Sequence, residues 1–510
     1  YNVFKNKYWE LKSTDGFKKY FKNTSWLFFE RAIKILVTFF VGIYIARYLG
    51  PSDYGLLNYS ESFVGLFLAI ATLGLDNIVV RELVKDIKKR DELLGTAFVL
   101  KIIGAFLIFG LIAIAVRLTD NDNFTNLLIF IIAAGTIFQS FNVISFYFQS
   151  IVLSKYVVYS QTISTILGAI VNLFLIFFNM PLVYFALVIL MQNILLAIGL
   201  ILTYKRQKLI IFNWKLQANL AIRLLKDSWP LILSGIAIVI YMKIDQVMIK
   251  VMLGTKAVGV YAVAVKLSAV WYFIPMVICN SIFPAIINSK RINERLYYGR
   301  LQKLYNLMTW LAIGIAVPIT FLSDDIIRIL FGYQYQGAAA VLKIHIWAGV
   351  FVFLGVASTK YLITENYTKL SLLKTIAGAI VNVILNIILI TRYNINGAAI
   401  ATAFTITLMN FLYFFSAHRI SKIQPLRKSF LKIIAASIIA ISIVYVITKY
   451  IVGVSLFSLL IMFLVFLTLY FFLLLSFRSF EEEDLVVMRA IDQRLGTKSG
   501  WMRKLIEKFL

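Results

Sequence analysis

The chain has 510 residues, of which 61% are apolar and only 15% charged, with a formal net charge of +27. Soluble domains are about half apolar and a quarter charged, so this composition excludes a soluble fold and fits a bilayer as the solvent. One cysteine, Cys279, and two histidines, His345 and His418, exclude an intramolecular disulfide and a zinc centre built on those residue types.

The first stretch mixes lysines with aromatic residues and is not expected to be a cleavable signal peptide. A membrane-spanning helix needs roughly 20 mostly apolar residues. In chain order, that length predicts spans at 25–48, 58–80, 95–116, 124–147, 156–178, 181–203, 229–253, 258–286, 304–322, 338–361, 370–391, 395–416, 431–451 and 454–477. The fold class is therefore an all-α integral membrane protein of about fourteen helices. The 258–286 stretch is long and is expected to bend near Pro275.

Basic residues alternate from loop to loop. They collect before 25, after 80 (Arg81, Lys85, Lys88, Lys89, Arg90), after 203 (Lys205, Arg206, Lys208), after 286 (Lys290, Arg291, Arg295) and after 416 (Arg419, Lys422). The intervening loops are short and poor in them. Lysine and arginine favour the cytoplasmic side. Both termini are thus expected in the cytoplasm, with the chain a multi-pass protein of the inner membrane. The charge of +27 is assigned to these loops and the anionic leaflet they meet, and no nucleic acid partner is expected.

Residues 165–172 read TILGAIVN and residues 375–382 read TIAGAIVN. Residues 49–55, LGPSDYG, share Leu49, Gly50 and Gly55 with Leu253, Gly254 and Gly259 of LGTKAVG. These matches predict a parallel internal repeat of two six-helix bundles. The expected organisation is an interfacial segment at 1–24, bundles at 25–206 and 229–419 joined by a cytoplasmic linker at 207–228, two additional helices in 431–477, and a cytoplasmic tail at 478–510. Asn172 and Asn382 hold matched places beside Gly168 and Gly378, where interhelical hydrogen bonding is the favoured role.

Ionisable residues inside spans are costly and usually face a cavity or a partner. The cationic set is Arg31, Lys34, Lys101, Lys243, Lys250, Lys266 and Lys374, against Glu30, Asp76 and Asp245. Lys34 lies about 14 Å and Lys101 about 9 Å into their helices at ~1.5 Å per residue. Positive charge at depth suits an anionic substrate such as a pyrophosphate or an acidic sugar. Arg31, Lys34, Lys101, Lys243 and Lys266 are therefore the candidate lining of a cationic cavity. Asp245, Asp76 and Glu30 are candidate counter-ions or ion-coupling groups. Simpler roles stay open: Glu30 and Lys34 are spaced to pair along one helix, Arg31, Lys250 and Lys374 are placed to snorkel, Lys101 can be held by pairing, and Asp245 can be a structural counter-ion for a lysine on another helix. Lys243 and Asp245, two residues apart, point to nearly opposite sides of their helix.

No nucleotide-binding loop, metal motif or catalytic nucleophile motif occurs. A transporter rather than an enzyme is expected, without a cofactor, drawing on an H+ or Na+ gradient, the membrane potential or the substrate gradient.

The stretch YIARYLGPSDYGLLNYSESFVGLFLAIATLGLDNIVVREL (44–83) carries Ala46, Arg47, Leu49, Gly50, Pro51, Tyr54 and Gly55, and Leu330, Phe331, Gly332 and Tyr335 follow the predicted span at 304–322. These elements resemble the Wzx-type O-antigen and polysaccharide flippases of the multidrug/oligosaccharidyl-lipid/polysaccharide (MOP) exporter superfamily. The resemblance implies two six-helix bundles around a central cationic cavity, with two extra helices. It also implies alternating access and transfer of an undecaprenyl-pyrophosphate-linked oligosaccharide to the outer leaflet. Membrane lipids and other polysaccharide-assembly proteins would be its partners. A peptidoglycan-precursor flippase, a multidrug exporter and a membrane glycosyltransferase or polymerase are the rival readings.

Overall fold

The computed structural model describes residues 15–290, 292–364, 368–421, 429–450 and 455–477. All regular structure among them is helical, and the chain divides into two units, Tyr1–Gly259 and Val260–Leu510. The expected tail at 478–510 and the first fourteen residues lie outside the described residues. Residues 15–24 already belong to the first helix.

The first unit holds α1 (Asp15–Thr72), α2 (Leu75–Lys85), α3 (Arg90–Arg117), α4 (Asn123–Gln139), α5 (Val143–Ser150), α6 (Lys155–Phe177), α7 (Leu182–Arg206) and α8 (Ala218–Leu253). Helix α9 (Thr255–Ala269) starts at its end. Straight, the 58 residues of α1 would reach ~87 Å, almost three times a ~30 Å hydrocarbon core. One residue interrupts it. Gly50 has φ 70° and ψ 173°, a conformation open essentially to glycine, and Pro51 restarts the helix with its preset φ. The first limb runs beside α6, from Asn23 hydrogen-bonded to Ser154 N to Tyr48 donating to the Met180 carbonyl. The second limb runs antiparallel to α8: Ser62 donates to Gln246, and Ala69 touches Gly235.

Four sequence boundaries are corrected. The expected loop at 49–57 is helical apart from Gly50. The second span ends at Thr72, not 80, because Leu73 and Gly74 both take left-handed φ where α8 approaches closely. The 258–286 stretch breaks at a 3-10 turn, Val270–Tyr272, rather than at Pro275, which falls in the first turn of the next helix, where no backbone N–H is needed.

The fourth concerns 207–228, expected as a linker. Residues 218–228 are already helix α8. The rest is pinned to α3. Lys215 N donates to the Asp91 carbonyl, Gln217 N donates to Thr96 Oγ1, and Trp214 packs against Phe98 and Tyr204. A Cβ on Gly95 would meet the Lys215 backbone at 2.6 Å. Thr96 is fully buried, so Thr96→Val leaves a backbone N–H without its acceptor, a loss of ~1–3 kcal/mol. Faster amide exchange or proteolysis across 208–217, with little change elsewhere, is the expected result. Unchanged protection would show that this segment is held some other way.

A core at the end carrying the basic loops joins α2 (Leu75, Val79, Leu83), α3 (Leu94, Ala97), α5 (Ile144, Phe148), α7 (Tyr204) and α8 (Leu224).

The second unit holds the rest of α9, then α10 (Phe273–Lys290), α11 (Glu294–Phe331), α12 (Ala338–Thr364), α13 (Thr368–Ser421), α14 (Ser429–Tyr450) and α15 (Leu456–Ser476). Helix α13 is an antiparallel pair turning at Asn394 (φ 53°). Lys374 reaches Leu412, Gly378 faces Met409, and Asn382 reaches Thr402 and Thr405. The two C-terminal helices pack on α11, where Ile433, Ala440, Phe466 and Tyr470 meet Trp310, Ile313 and Val317.

Among the described residues, eleven helices are long and apolar enough to cross a membrane, against fourteen expected spans. Ser25–Lys85 and Leu372–Ser416 each count once although Gly50 and Asn394 divide them, and Leu431–Ile447 is shorter than the others.

Candidate functional site

The polar groups that the apolar spans carry inward sit in separate places. In the first unit, Lys101 is buried on α3 and donates to Asp76 at 2.9 Å, with its ammonium 4.6 Å from the centre of the Phe146 ring. Asp76 lies in the first turn of α2, where the helix dipole also favours negative charge. It is placed there by the Leu73–Gly74 break that no span count could reveal. The two side chains differ sharply in exposure, 6% for Lys101 and 54% for Asp76. Lys101 is thus a buried cation whose counter-ion has an open side.

On the first limb of α1, Glu30 is buried while Arg31 and Lys34 are exposed. Arg31 and Lys34 are three residues apart and share a face of the helix.

Helix α8 carries the other pair. Asp245 is buried at 2% exposure and Lys243 is half-buried. The Asp245 carboxylate accepts from Gln246 N, and the Gln246 side chain accepts from Ser62 on the second limb of α1. Neither Gln246 nor Ser62 stands out among the charges that depth and sign pick from the sequence. The available signal was two adjacent polar residues, Asp245 and Gln246, inside an otherwise apolar run. Lys250 donates to Asn121 and lies 5.1 Å from the centre of the Tyr59 ring, so it is tied to the α3–α4 loop.

In the second unit, Lys266 is exposed on α9. Lys374 is buried and donates to the Leu412 carbonyl and to Ser416, with its ammonium over the Tyr413 ring at 5.0 Å. Neutral acceptors hold this lysine inward instead of letting it snorkel. Asn382 donates to Thr402 and Thr405, and Asn386 donates back to Asn382. Interhelical hydrogen bonding is therefore Asn382's role. Asn386, one turn on, completes a buried polar ladder that the internal repeat does not mark. His345 and Ser268 form a further buried pair at 2.7 Å.

The structure thus joins Lys101 with Asp76 and sets Arg31 and Lys34 side by side. It ties Gln246, the neighbour of Asp245, to Ser62 on α1, and it places Lys266 in the other unit.

Residues 20–290 match a family model described as polysaccharide biosynthesis protein, and residues 230–388 match one described as MatE. The probable low-salt glycan biosynthesis flippase Agl15 of Haloferax volcanii is 25% identical over 206 residues, 40% of this chain and 42% of that protein. This match thus spans less than half of the relative's length. The lipid II flippase MurJ in its inward closed conformation superposes with a TM-score of 0.68 at 16% identity, covering 89% of this chain and 98% of MurJ. An inward-facing multidrug resistance MATE family transporter of the MOP superfamily gives a TM-score of 0.58 at 14% identity, covering 76% of this chain and 94% of the transporter. At such identities the structural likeness is one of fold. The fold is that of MOP transporters, as the motif at 44–83 leads one to expect.

Proposed function

Because this chain belongs to the polysaccharide biosynthesis protein family, we propose that it is a flippase for an undecaprenyl-pyrophosphate-linked oligosaccharide, the repeat unit of an O-antigen or another surface polysaccharide. It moves this lipid from the inner to the outer leaflet of the cytoplasmic membrane by alternating access, with both termini in the cytoplasm. The observation that carries the proposal is Arg31 and Lys34, two exposed cations on one helix face inside a membrane span. They are placed to receive a pyrophosphate through charge-assisted hydrogen bonds. Lys101 adds positive charge that an incoming phosphate can claim by displacing Asp76 from its open side. Asp245, Asp76 and Glu30 serve as counter-ions, and the transport cycle draws on an ion gradient or the membrane potential. The Agl15 likeness supports a glycan-bearing cargo. The MurJ likeness keeps the peptidoglycan precursor as the second candidate cargo.

The test is transbilayer movement of a labelled undecaprenyl-pyrophosphate oligosaccharide in proteoliposomes. The double variant Arg31→Gln, Lys34→Gln is expected to move it about tenfold more slowly, ~1.4 kcal/mol, while melting at the wild-type temperature. Equal rates would sink the assignment of these two residues. A folded wild type that moves organic cations and none of the lipid would replace the proposal with a multidrug exporter.

A further inference from the structure

Helices α6 and α7 enclose a groove of about 760 Å³ whose lining includes Tyr156, Tyr159, Ile163, Leu202, Lys205 and Arg206. We propose that this groove binds an anionic glycerophospholipid of the leaflet that meets the basic loops, one acyl chain lying between the helices and the headgroup phosphate on Lys205 and Arg206.

Gly199 and Ser160 both line the groove, and the helices approach closely between them, since a Cβ on Gly199 would meet the Ser160 Cβ at 2.9 Å. Its walls open outward. Tyr159 is 45%, Ile163 57% and Leu202 57% exposed. Large apolar side chains exposed in a membrane-spanning segment face acyl chains rather than water. The lining extends from Leu195 to Arg206 on α7, roughly 16 Å at ~1.5 Å per residue. That is about half of a ~30 Å hydrocarbon core, the depth of a single leaflet.

The head end is cationic. Lys205 and Arg206 form the last turn of α7, and no carboxylate lines the groove. Among the described residues neither cation has an ion-pair partner. Lys155 stands near the same end, its ammonium 4.9 Å from the centre of the Tyr156 ring. Trp26 meets Tyr159 edge to face at 5.3 Å, an aromatic pair of the kind that marks headgroup depth. Basic pockets between spanning helices on the cytoplasmic side recognise anionic lipid headgroups. The groove's length selects a leaflet acyl chain over a longer polyprenyl chain. The site is independent of which cargo the protein carries.

Native mass spectrometry of the full chain in detergent, titrated with dioleoyl phosphatidylglycerol or dioleoyl phosphatidylcholine, tests the site. Wild type is expected to hold the anionic lipid at least tenfold more tightly. Lys205→Gln with Arg206→Gln should abolish that preference, and Ile163→Trp, which fills the open wall without touching the core, should weaken both lipids. Lys208→Gln, outside the lining, should change neither. If the double variant keeps the preference, or Ile163→Trp binds as wild type does, the proposal is overturned. Displacement of phosphatidylglycerol by equimolar undecaprenyl phosphate would also overturn it and make the groove a polyprenyl site instead.

Discussion

Gly55→Val is expected to give a protein that fails to reach a stable fold, or melts well below wild type. A Cβ at Gly55 would stand 1.9 Å from the Thr255 carbonyl oxygen and 2.7 Å from Gly259 N. The reciprocal contact is just as close, since a Cβ on Gly259 would lie 2.0 Å from the Pro51 carbonyl. These are backbone atoms, which no rotamer change can move aside. Overpacking a core usually costs ~1–3 kcal/mol because side chains can rearrange. Here the crossing itself must open, so the loss should exceed the ~3 kcal/mol upper end of that range. The two segments are the repeated LGPSDYG and LGTKAVG motifs. Gly50 and Gly254, at matched places, share nearly the same backbone, φ 70° and 90° with ψ 173° and 175°. Ser52 and Thr255 join their hydroxyls at 3.2 Å beside the crossing. Gly42 is the control, since a Cβ added there would meet nothing within 4 Å, so Gly42→Ala should be neutral or slightly stabilising. Thermal unfolding of purified protein in detergent decides the matter. A Gly55→Val protein that melts with wild type would show that the two turns do not pack this tightly.

The second large effect is an asymmetry between the partners of one ion pair. Asp76→Asn should destabilise more than Lys101→Met, although each removes the same salt bridge. Losing Asp76 strands a buried ammonium, whereas losing Lys101 leaves a half-exposed carboxylate that water can solvate. Breaking a fully buried pair from one side costs ~3–5 kcal/mol, and exposed pairs are worth ~1 kcal/mol or less. An intermediate ~2–3 kcal/mol is expected for Asp76→Asn, and under ~1 kcal/mol for Lys101→Met, whose apolar chain still packs on Phe146. The double variant should return close to the Lys101→Met level, because the stranded charge is gone. Equal losses in the two single variants would mean that Lys101 reaches water by another route. Measuring lipid movement on Lys101→Met then separates a structural lysine from one that takes part in transport, because its fold is expected to survive the change.

Much of the architecture was legible in the one-dimensional pattern. Each spanning helix partitions into the bilayer largely by its own apolar length, so candidate stretches could be marked one at a time. The helix at 395–416, for example, needs no knowledge of its neighbour at 370–391. Gly50 and Asn394 were readable only as gaps between spans. The chain resumes its helix directly after each of them, so a single residue does the work expected of a loop. The early end of the second span was not readable. Leu73 and Gly74 take their left-handed conformations where α8 arrives with Leu231 and Ser228, and α8 lies far along the chain.

The same division holds for the charges. Sequence determined by itself that cations outnumber carboxylates inside the spans, because sign and depth belong to each residue and its own helix. Only the tertiary structure decided how each cation is held. Whether Lys101 faces a cargo or a carboxylate depends on how α2 and α3 are rotated and how α2 begins. Whether Lys374 snorkels or stays inward depends on the Leu412 carbonyl and the Ser416 hydroxyl of the returning limb of α13. Pairing energy falls steeply with distance and turns on a few ångströms of geometry set by remote segments, while hydrophobic partition adds up along a local run.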